Sequence, residues 1–173
     1  MGVGPELRIS EARDREALAI RALHRSVLEE GRWFIRTPDE LPRLDEVEEG
    51  LERYRVSENS AWFVARLPRH PCAGFLAVTG GALQRTRHAA HFEVMVDRGL
   101  RRRGVGARLL DHAVQWARDN PMLSRLSLSV YADNEGAIRL YRSRGFSQEG
   151  RAHGAFRESD GHTRDAVQMA MEV

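Results

Sequence analysis

Apolar positions along this chain change their period several times, and each change marks an element. Leu7, Arg8 and Ile9 alternate as a short first strand. From Ser10 the spacing turns helical, with Leu18, Ala22, Leu23 and Val27 on one face; Arg13 stands where a capping box would need an acid, and Gly31 ends the helix. Trp33, Phe34 and Ile35 follow as an apolar loop cluster, read as a core plug rather than a ligand platform. A second helix is expected over residues 41–54, where Leu44, Val47, Leu51 and Tyr54 share a face. Its other face carries Asp45, Glu46, Glu48, Glu49 and Glu52, a solvated surface that would also attract a cationic substrate.

Strand signals then take over. Residues 61–65 and 74–78 are apolar runs joined as a hairpin through a proline-containing turn over 67–71, and Gly80-Gly81 interrupts the chain again. Residues 89–96 form a fourth strand, with Phe92, Val94 and Val96 facing one way and His91, Glu93 and Met95 the other. A helix over 105–118, apolar at Val105, Leu109, Leu110, Ala113 and Ala117, stops at Asn120-Pro121. Residues 125–131 make a fifth strand, alternating Leu126, Leu128 and Val130 against Ser127, Ser129 and Tyr131. Asn134 opens a helix through Ala137, Ile138, Leu140 and Tyr141, which Gly145 closes. The remainder reads as a glycine-rich connection around Gly154 and Gly161 and a last strand over 166–173.

The length of 173 residues fits one domain over 1–173 with a sizeable core, residues 1–6 forming a flexible N-terminus. No apolar run is long enough to span a bilayer and the start lacks a signal-peptide pattern, so the expected location is cytoplasmic, without membrane attachment. A lone cysteine, Cys72, excludes an internal disulfide and suits a reducing compartment. All 27 basic residues are arginine, yet the net charge is only +2, which argues against nucleic acid as the partner. The run Arg101-Arg102-Arg103 has no interleaved aromatics for base stacking. Nor is a metal expected: His88 and His91 share a strand without helical i, i+4 spacing, and Cys72 has no partner at a zinc spacing.

Candidate chemistry begins in residues 94–107. An apolar strand runs into a basic turn, then into Gly104 and Gly106 at the first turn of a helix. Unpaired N–H groups at a helix start bind anions, and glycine lets the backbone come close. The second pattern is Asn134-x-x-Ala137-Ile138-x-Leu140-Tyr141-x-x-x-Gly145-Phe146 after the next strand. Arg101-x-x-Gly104-x-Gly106 followed by this second pattern resembles the GNAT superfamily of N-acetyltransferases, over nearly the whole chain.

The resemblance implies a mixed α/β (α+β) fold, a mostly antiparallel central sheet of six to seven strands flanked by about four helices. It implies acetyl-CoA held in a V-shaped gap between the fourth and fifth strands. Backbone amides of Arg101, Arg102, Arg103, Gly104, Val105 and Gly106 would meet the pyrophosphate, and the backbone at Met95 and Val96 would pair with the pantetheine arm. Asn134 would contact the cofactor, with Tyr141 beside the sulfur as general acid. Such proton transfer is typically worth roughly 10²–10⁴ in rate. Positioning both substrates contributes on the order of 7–11 kcal/mol.

A base is harder to assign. Relatives that acetylate ribosomal N-termini carry a glutamate five residues before the asparagine, where this chain has Ser129. Many others carry one five residues before the valine matching Val96, where this chain has His91; Glu93 lies two residues on along the same face and is the favoured base, acting through a water. The expected acceptor is the primary amine of a free amino acid or related small molecule. The alternatives are a protein N-terminal amine or, from another class, a non-catalytic module binding CoA or nucleic acid. The resemblance also allows a homodimer.

Overall fold

A computed structural model describes residues 6–173, so the N-terminal segment read as flexible lies almost wholly outside the described residues. The elements follow as β1 (Arg8–Glu11), α1 (Ala17–Leu28), α2 (Leu44–Arg55), β2 (Ala61–Leu67), β3 (His70–Gly80), β4 (Ala89–Val96), α3 (Val105–Asp119), β5 (Arg125–Tyr131), α4 (Glu135–Arg142), β6 (Ser147–Arg157) and β7 (Thr163–Glu172). The seven strands form one sheet in the order β1-β2-β3-β4-β5-β7-β6, antiparallel everywhere except between β4 and β5. This is the mixed α/β fold that the resemblance implied.

Strand alternation divides the core in two. On one face α1 and α2 bury Ala17, Ile20, Leu23, Val27, Val47 and Leu51 against Val64, Phe75 and Met95. On the other, Val105, Leu109, Leu110, Ala113, Ile138 and Tyr141 of α3 and α4 cover Phe63, Leu76, Phe92, Leu126, Leu128, Val167 and Met169. The expected sidedness of β4 holds: Phe92 packs on the α3/α4 side and Met95 on the α1/α2 side.

Four expectations are corrected. Ser10 lies within β1 rather than opening a helix; the chain turns at Arg13, whose N–H donates to the Glu16 carboxylate at 2.8 Å. Glu16 stays ionised there, because the Arg66 fork and that N–H outweigh a burial that would otherwise raise its pKa. Consequently the buried stripe of α1 is Ala17, Ile20, Leu23, His24 and Val27, and Leu18 is exposed. Helix α2 starts at Leu44 rather than residue 41: Pro42 intervenes, and Arg43 N–H is taken by Glu46 at 2.7 Å. Finally, residues 147–157, read as a connection, form strand β6, paired with β7 at the sheet edge. Gly80 illustrates a packing demand within β3, since a Cβ there would come within 2.2 Å of the Asn59 side chain. Among the described residues no helix is long and apolar enough to cross a membrane.

Candidate active site

The parallel pair β4 and β5 stays in register only at Ala89–Arg125, Ala90–Leu126 and His91–Ser127, after which the two strands part. A wedge therefore opens toward their C-terminal ends, in the middle of the sheet. Asp97 N–H donates to Ala73 O at 3.0 Å, so the backbone groups of Asp97 point toward β3. By alternation those of Met95 and Glu93 do too, and those of Phe92, Val94 and Val96 point into the wedge. Consistently, Ala90 O and Val96 O, on the wedge side, accept from Ser127 Oγ (3.2 Å) and Arg101 Nε (3.1 Å) rather than from β3. This alters the expected backbone pairing at Met95 and Val96. Of the two residues expected to pair with the cofactor, Val96 has its backbone groups on the wedge side and Met95 has them in the β3 ladder, while Val94 shares the wedge side with Val96.

At the mouth of the wedge, residues 98–104 wind into α3. Arg102 and Gly104 both adopt left-handed backbone, at φ 59° and 90°, and Gly104 is the residue before the first helical turn. Left-handed residues alternating with ordinary ones turn successive N–H groups inward, and the first turn of α3 adds N–H groups with no intrahelical acceptor. The loop thus presents Arg102, Arg103, Gly104, Val105 and Gly106 as a concave set of donors. Val105 buries its side chain, and Gly106 fits where a Cβ would meet Val96 at 3.5 Å and Leu140 at 3.9 Å. The side chain of Arg101 is not offered to an anion. Its two terminal nitrogens grip the Glu30 carboxylate at 2.6 Å each.

Across the wedge, Asn134 caps α4, its Oδ1 accepting from Ala137 N–H at 3.2 Å, which leaves its NH₂ group free to donate to a ligand. About two turns further on, the Tyr141 ring packs edge-on against Phe92 and Phe146, at 5.8 and 6.1 Å between centroids. Its hydroxyl has no hydrogen-bond partner among the described residues, and burial pushes its pKa up to about 12. Tyr141 therefore keeps its proton at ordinary pH and can serve as a proton donor but not as a base.

Glu93 projects from the opposite face of β4. It is solvent-accessible yet set in protein-dense surroundings, as the floor of a cleft would be, and this desolvation raises its carboxyl pKa, with Arg36 pulling the other way. His91 on the same face is pushed down by burial. Tyr54 of α2 hydrogen-bonds Thr79 Oγ1 at 2.6 Å and is also raised, by burial first and by the charge of Glu93 among lesser causes. Cys72 lies apart from this cleft, and burial lifts its thiol to about 12.

The family model for the acetyltransferase (GNAT) family matches residues 25–146. The chain belongs to the GNAT family.

Two curated relatives are similar over part of this GNAT chain. L-amino acid N-acetyltransferase AaaT of Escherichia coli strain K12 is 31% identical over 77 residues, 44% of the chain and 48% of AaaT. The [ribosomal protein bS18]-alanine N-acetyltransferase of Salmonella typhimurium is 34% identical over 85 residues, 49% of the chain and 56% of that enzyme. The chain thus spans about half the length of the curated relatives it matches. Among solved structures, an acetyltransferase of the GNAT family from Streptococcus pneumoniae superposes with a TM-score of 0.93 at 28% identity, covering 97% of this chain and 100% of that one.

Sequence reasoning missed one segment that lies beside the wedge. Residues 29–37, between α1 and α2, cross the α1/α2 face of the wedge. Trp33 within them has φ 70°, a strained value for a bulky residue, and is held edge-on to Tyr131 of β5 (6.0 Å) with the guanidiniums of Arg32 and Arg164 at 4.4 and 4.9 Å from its ring. Phe34 is partly buried against the α1/α2 core, whereas Ile35 is exposed, so the expected core plug is only partial. The apolar run Trp33-Phe34-Ile35 flanked by arginines was the available signal; its contacts with β5 and β7 lie too far along the chain for any local pattern to show.

Proposed function

We propose that this chain transfers the acetyl group of acetyl-CoA to the primary amine of a small molecule, a free amino acid or related amine, by direct attack in a ternary complex. The observation that supports it is the wedge itself. It has a strand edge at Val94 and Val96 that no strand covers, with Val96 O held by Arg101 Nε, a donor-lined loop at 102–106 beside it, a proton-bearing tyrosine on one face and a carboxylate on the other. These residues fit the cofactor. A pantetheine arm has amides that can pair with an open strand edge, and a pyrophosphate suits inward-facing N–H groups.

Bound acetyl-CoA supplies the thioester. Phe92 is on the Tyr141 side of β4 and Glu93 on the other, so the two candidate groups approach the wedge from opposite faces. Glu93, through a water, receives the proton that the amine loses on attacking the carbonyl carbon. Tyr141 donates its hydroxyl proton to the sulfur as the carbon–sulfur bond breaks, and solvent returns it. Loop amides, the Asn134 NH₂ group and the strand edge hold the cofactor in line, where positioning contributes on the order of 7–11 kcal/mol to the barrier. A cytoplasmic setting, and a homodimer, belong to the same proposal.

The likeness to the bS18-alanine enzyme supports a second reading, acetylation of a protein N-terminal amine. Ser129, where the resemblance places a glutamate in ribosomal-type relatives, weighs against it. The test is thermal unfolding with CoA, then turnover with acetyl-CoA and a panel of amines and peptides. At 100 times its Kd, CoA should stabilise the fold by about 2.7 kcal/mol. A protein that neither shifts with CoA nor releases it in the presence of amines refutes the proposal; a shift without turnover on any amine leaves a CoA-binding module.

A further inference from the structure

The segment joining α1 to α2 is fastened to both lips of the wedge. On the β4 side, Glu30 receives both terminal nitrogens of Arg101, whose Nε donates to Val96 O. On the β5 side, Tyr131 Oη donates to Phe34 O at 3.2 Å, and Trp33 is wedged between Tyr131 and two arginines. Two residues past the second fastening comes Arg36, exposed and, among the described residues, without a hydrogen bond or ion pair. Neighbouring guanidiniums are engaged elsewhere: Arg101 by Glu30, Arg164 by Asp133 and Glu158, and Arg32 on the Trp33 ring. The charge of Arg36 is nonetheless felt at Glu93, at His24 in α1 and, least among its causes, at the exposed Glu40, whose carboxylate is already taken by Thr37. His24 is 5% exposed, leans edge-on against Phe75 and leaves its Nε2 without a partner.

A fixed strap therefore carries a guanidinium with no hydrogen bond or ion pair among the described residues to the side of the wedge that holds Glu93. We propose that Arg36 binds a carboxylate on the acceptor, so that the preferred acceptor is an amino acid with its carboxylate free rather than a simple amine or a peptide N-terminus. This rests on the acetyl-transfer reading above. Arginine presents a planar fork that matches a carboxylate in two parallel N–H···O bonds. Glu93 would repel the same carboxylate and Arg36 would repel the ammonium, so the pair fixes which end of the acceptor faces the thioester. A peptide N-terminus has an amide where the free amino acid has its anion and leaves Arg36 unanswered.

The experiment compares wild type, Arg36→Gln and Arg36→Lys with acetyl-CoA and three matched acceptors: an amino acid, its carboxamide and the corresponding decarboxylated amine. Wild type should prefer the amino acid. Arg36→Gln should lose about ten- to a hundredfold in kcat/KM on it, mostly through KM, as expected for a charge-assisted hydrogen bond, and far less on the two acceptors without the anion. Arg36→Lys should recover part of the loss, and the thermal shift with CoA should be the same in all three proteins. Equal losses on all three acceptors, or a wild type that uses the carboxamide as well as the acid, would overturn the assignment. Acetylation of none of the three by wild type would defeat the acetyl-transfer reading, and this assignment with it.

Discussion

His24 gives the fold a built-in weakness toward acid. Its imidazole is buried in the α1/α2 core against Phe75, and burial, helped by the charge of Arg36, lowers its pKa from an ordinary 6.5 to about 4. Above pH 6.5 the ring is neutral whether the chain is folded or not, and it has no effect on the pH dependence. Below that the unfolded chain binds a proton that the native state refuses, so stability falls with pH and levels off near pH 4. The gap between the two values corresponds to a loss of about 3 kcal/mol at about 1.4 kcal/mol per tenfold. That is a large share of the roughly 5–15 kcal/mol that holds a domain of this kind together. His91 and His112, also lowered by burial, act with the same sign, whereas Glu93, raised, gains its proton more readily when folded and opposes them. Asp165 does not intrude, because its pKa near 2 places its own loss below pH 3.8.

The assay is urea unfolding of wild type and His24→Leu at a series of pH values between about 7 and 4. Leucine keeps the apolar contact with Phe75, removes the orphaned Nε2 and cannot titrate. Near pH 7 the variant should match or exceed wild type, since a buried polar group without a partner costs about 1–3 kcal/mol. Toward pH 4 the difference in its favour should widen by about 3 kcal/mol. If the two proteins lose stability in parallel, His24 is protonated in the native state and the account of its burial is wrong.

Tyr141→Phe should lower kcat by roughly 10²–10⁴ while leaving CoA affinity and unfolding midpoint close to wild type, because the hydroxyl it removes has no partner to lose. Turnover of every accepted amine at the wild-type rate would remove the general-acid role. Gly104→Val places a β-branched residue at φ 90°, at a cost of about 1–3 kcal/mol, and calorimetry should show weakened CoA binding because the loop amides move; unchanged binding would take the cradle out of the site. Glu93→Gln should abolish the acidic limb of the kcat/KM profile, a limb that in wild type lies above the usual carboxylate range because burial raises Glu93; a profile identical to wild type would transfer the base role to another group. Glu16→Ala should cost about 3 kcal/mol by stranding Arg66 and freeing the Arg13 N–H, as read by urea midpoint, and a loss below 1 kcal/mol would show that water replaces the carboxylate.

What could be read from residues alone was governed by distance along the chain. Strands β4 and β5 appear with the expected bounds, since each has one core face and alternation records it. The start of α3 and the Asn134 cap were legible for the same reason: glycine and asparagine act on their immediate neighbours. Strand β6 was not, because an edge strand with little buried surface on either side has no apolar period to show. The ion pair of Arg101 with Glu30 joins residues far apart in sequence, and it turned an arginine expected beside the pyrophosphate loop into a structural clamp. The open backbone positions in the wedge also depended on a long-range fact, the Asp97 to Ala73 bond that fixes which way β4 alternates.

Most sheets end at their margins, where an unpaired strand invites another polypeptide to pair with it. Here the unpaired stretch of β4 lies inside the sheet, between two strands that have already met at their other ends. A visiting β-strand would need its own width on both sides, about 4.8 Å to each neighbour, along its whole length, and a wedge cannot give that. A thin, flexible arm bearing a few amides can taper with it. The shape thus filters by cross-section before any side chain is consulted, and filling it should act on the Val94 and Val96 amides as completion of a sheet does, slowing their hydrogen exchange while the amides of Glu93 and Met95, already paired to β3, hardly change.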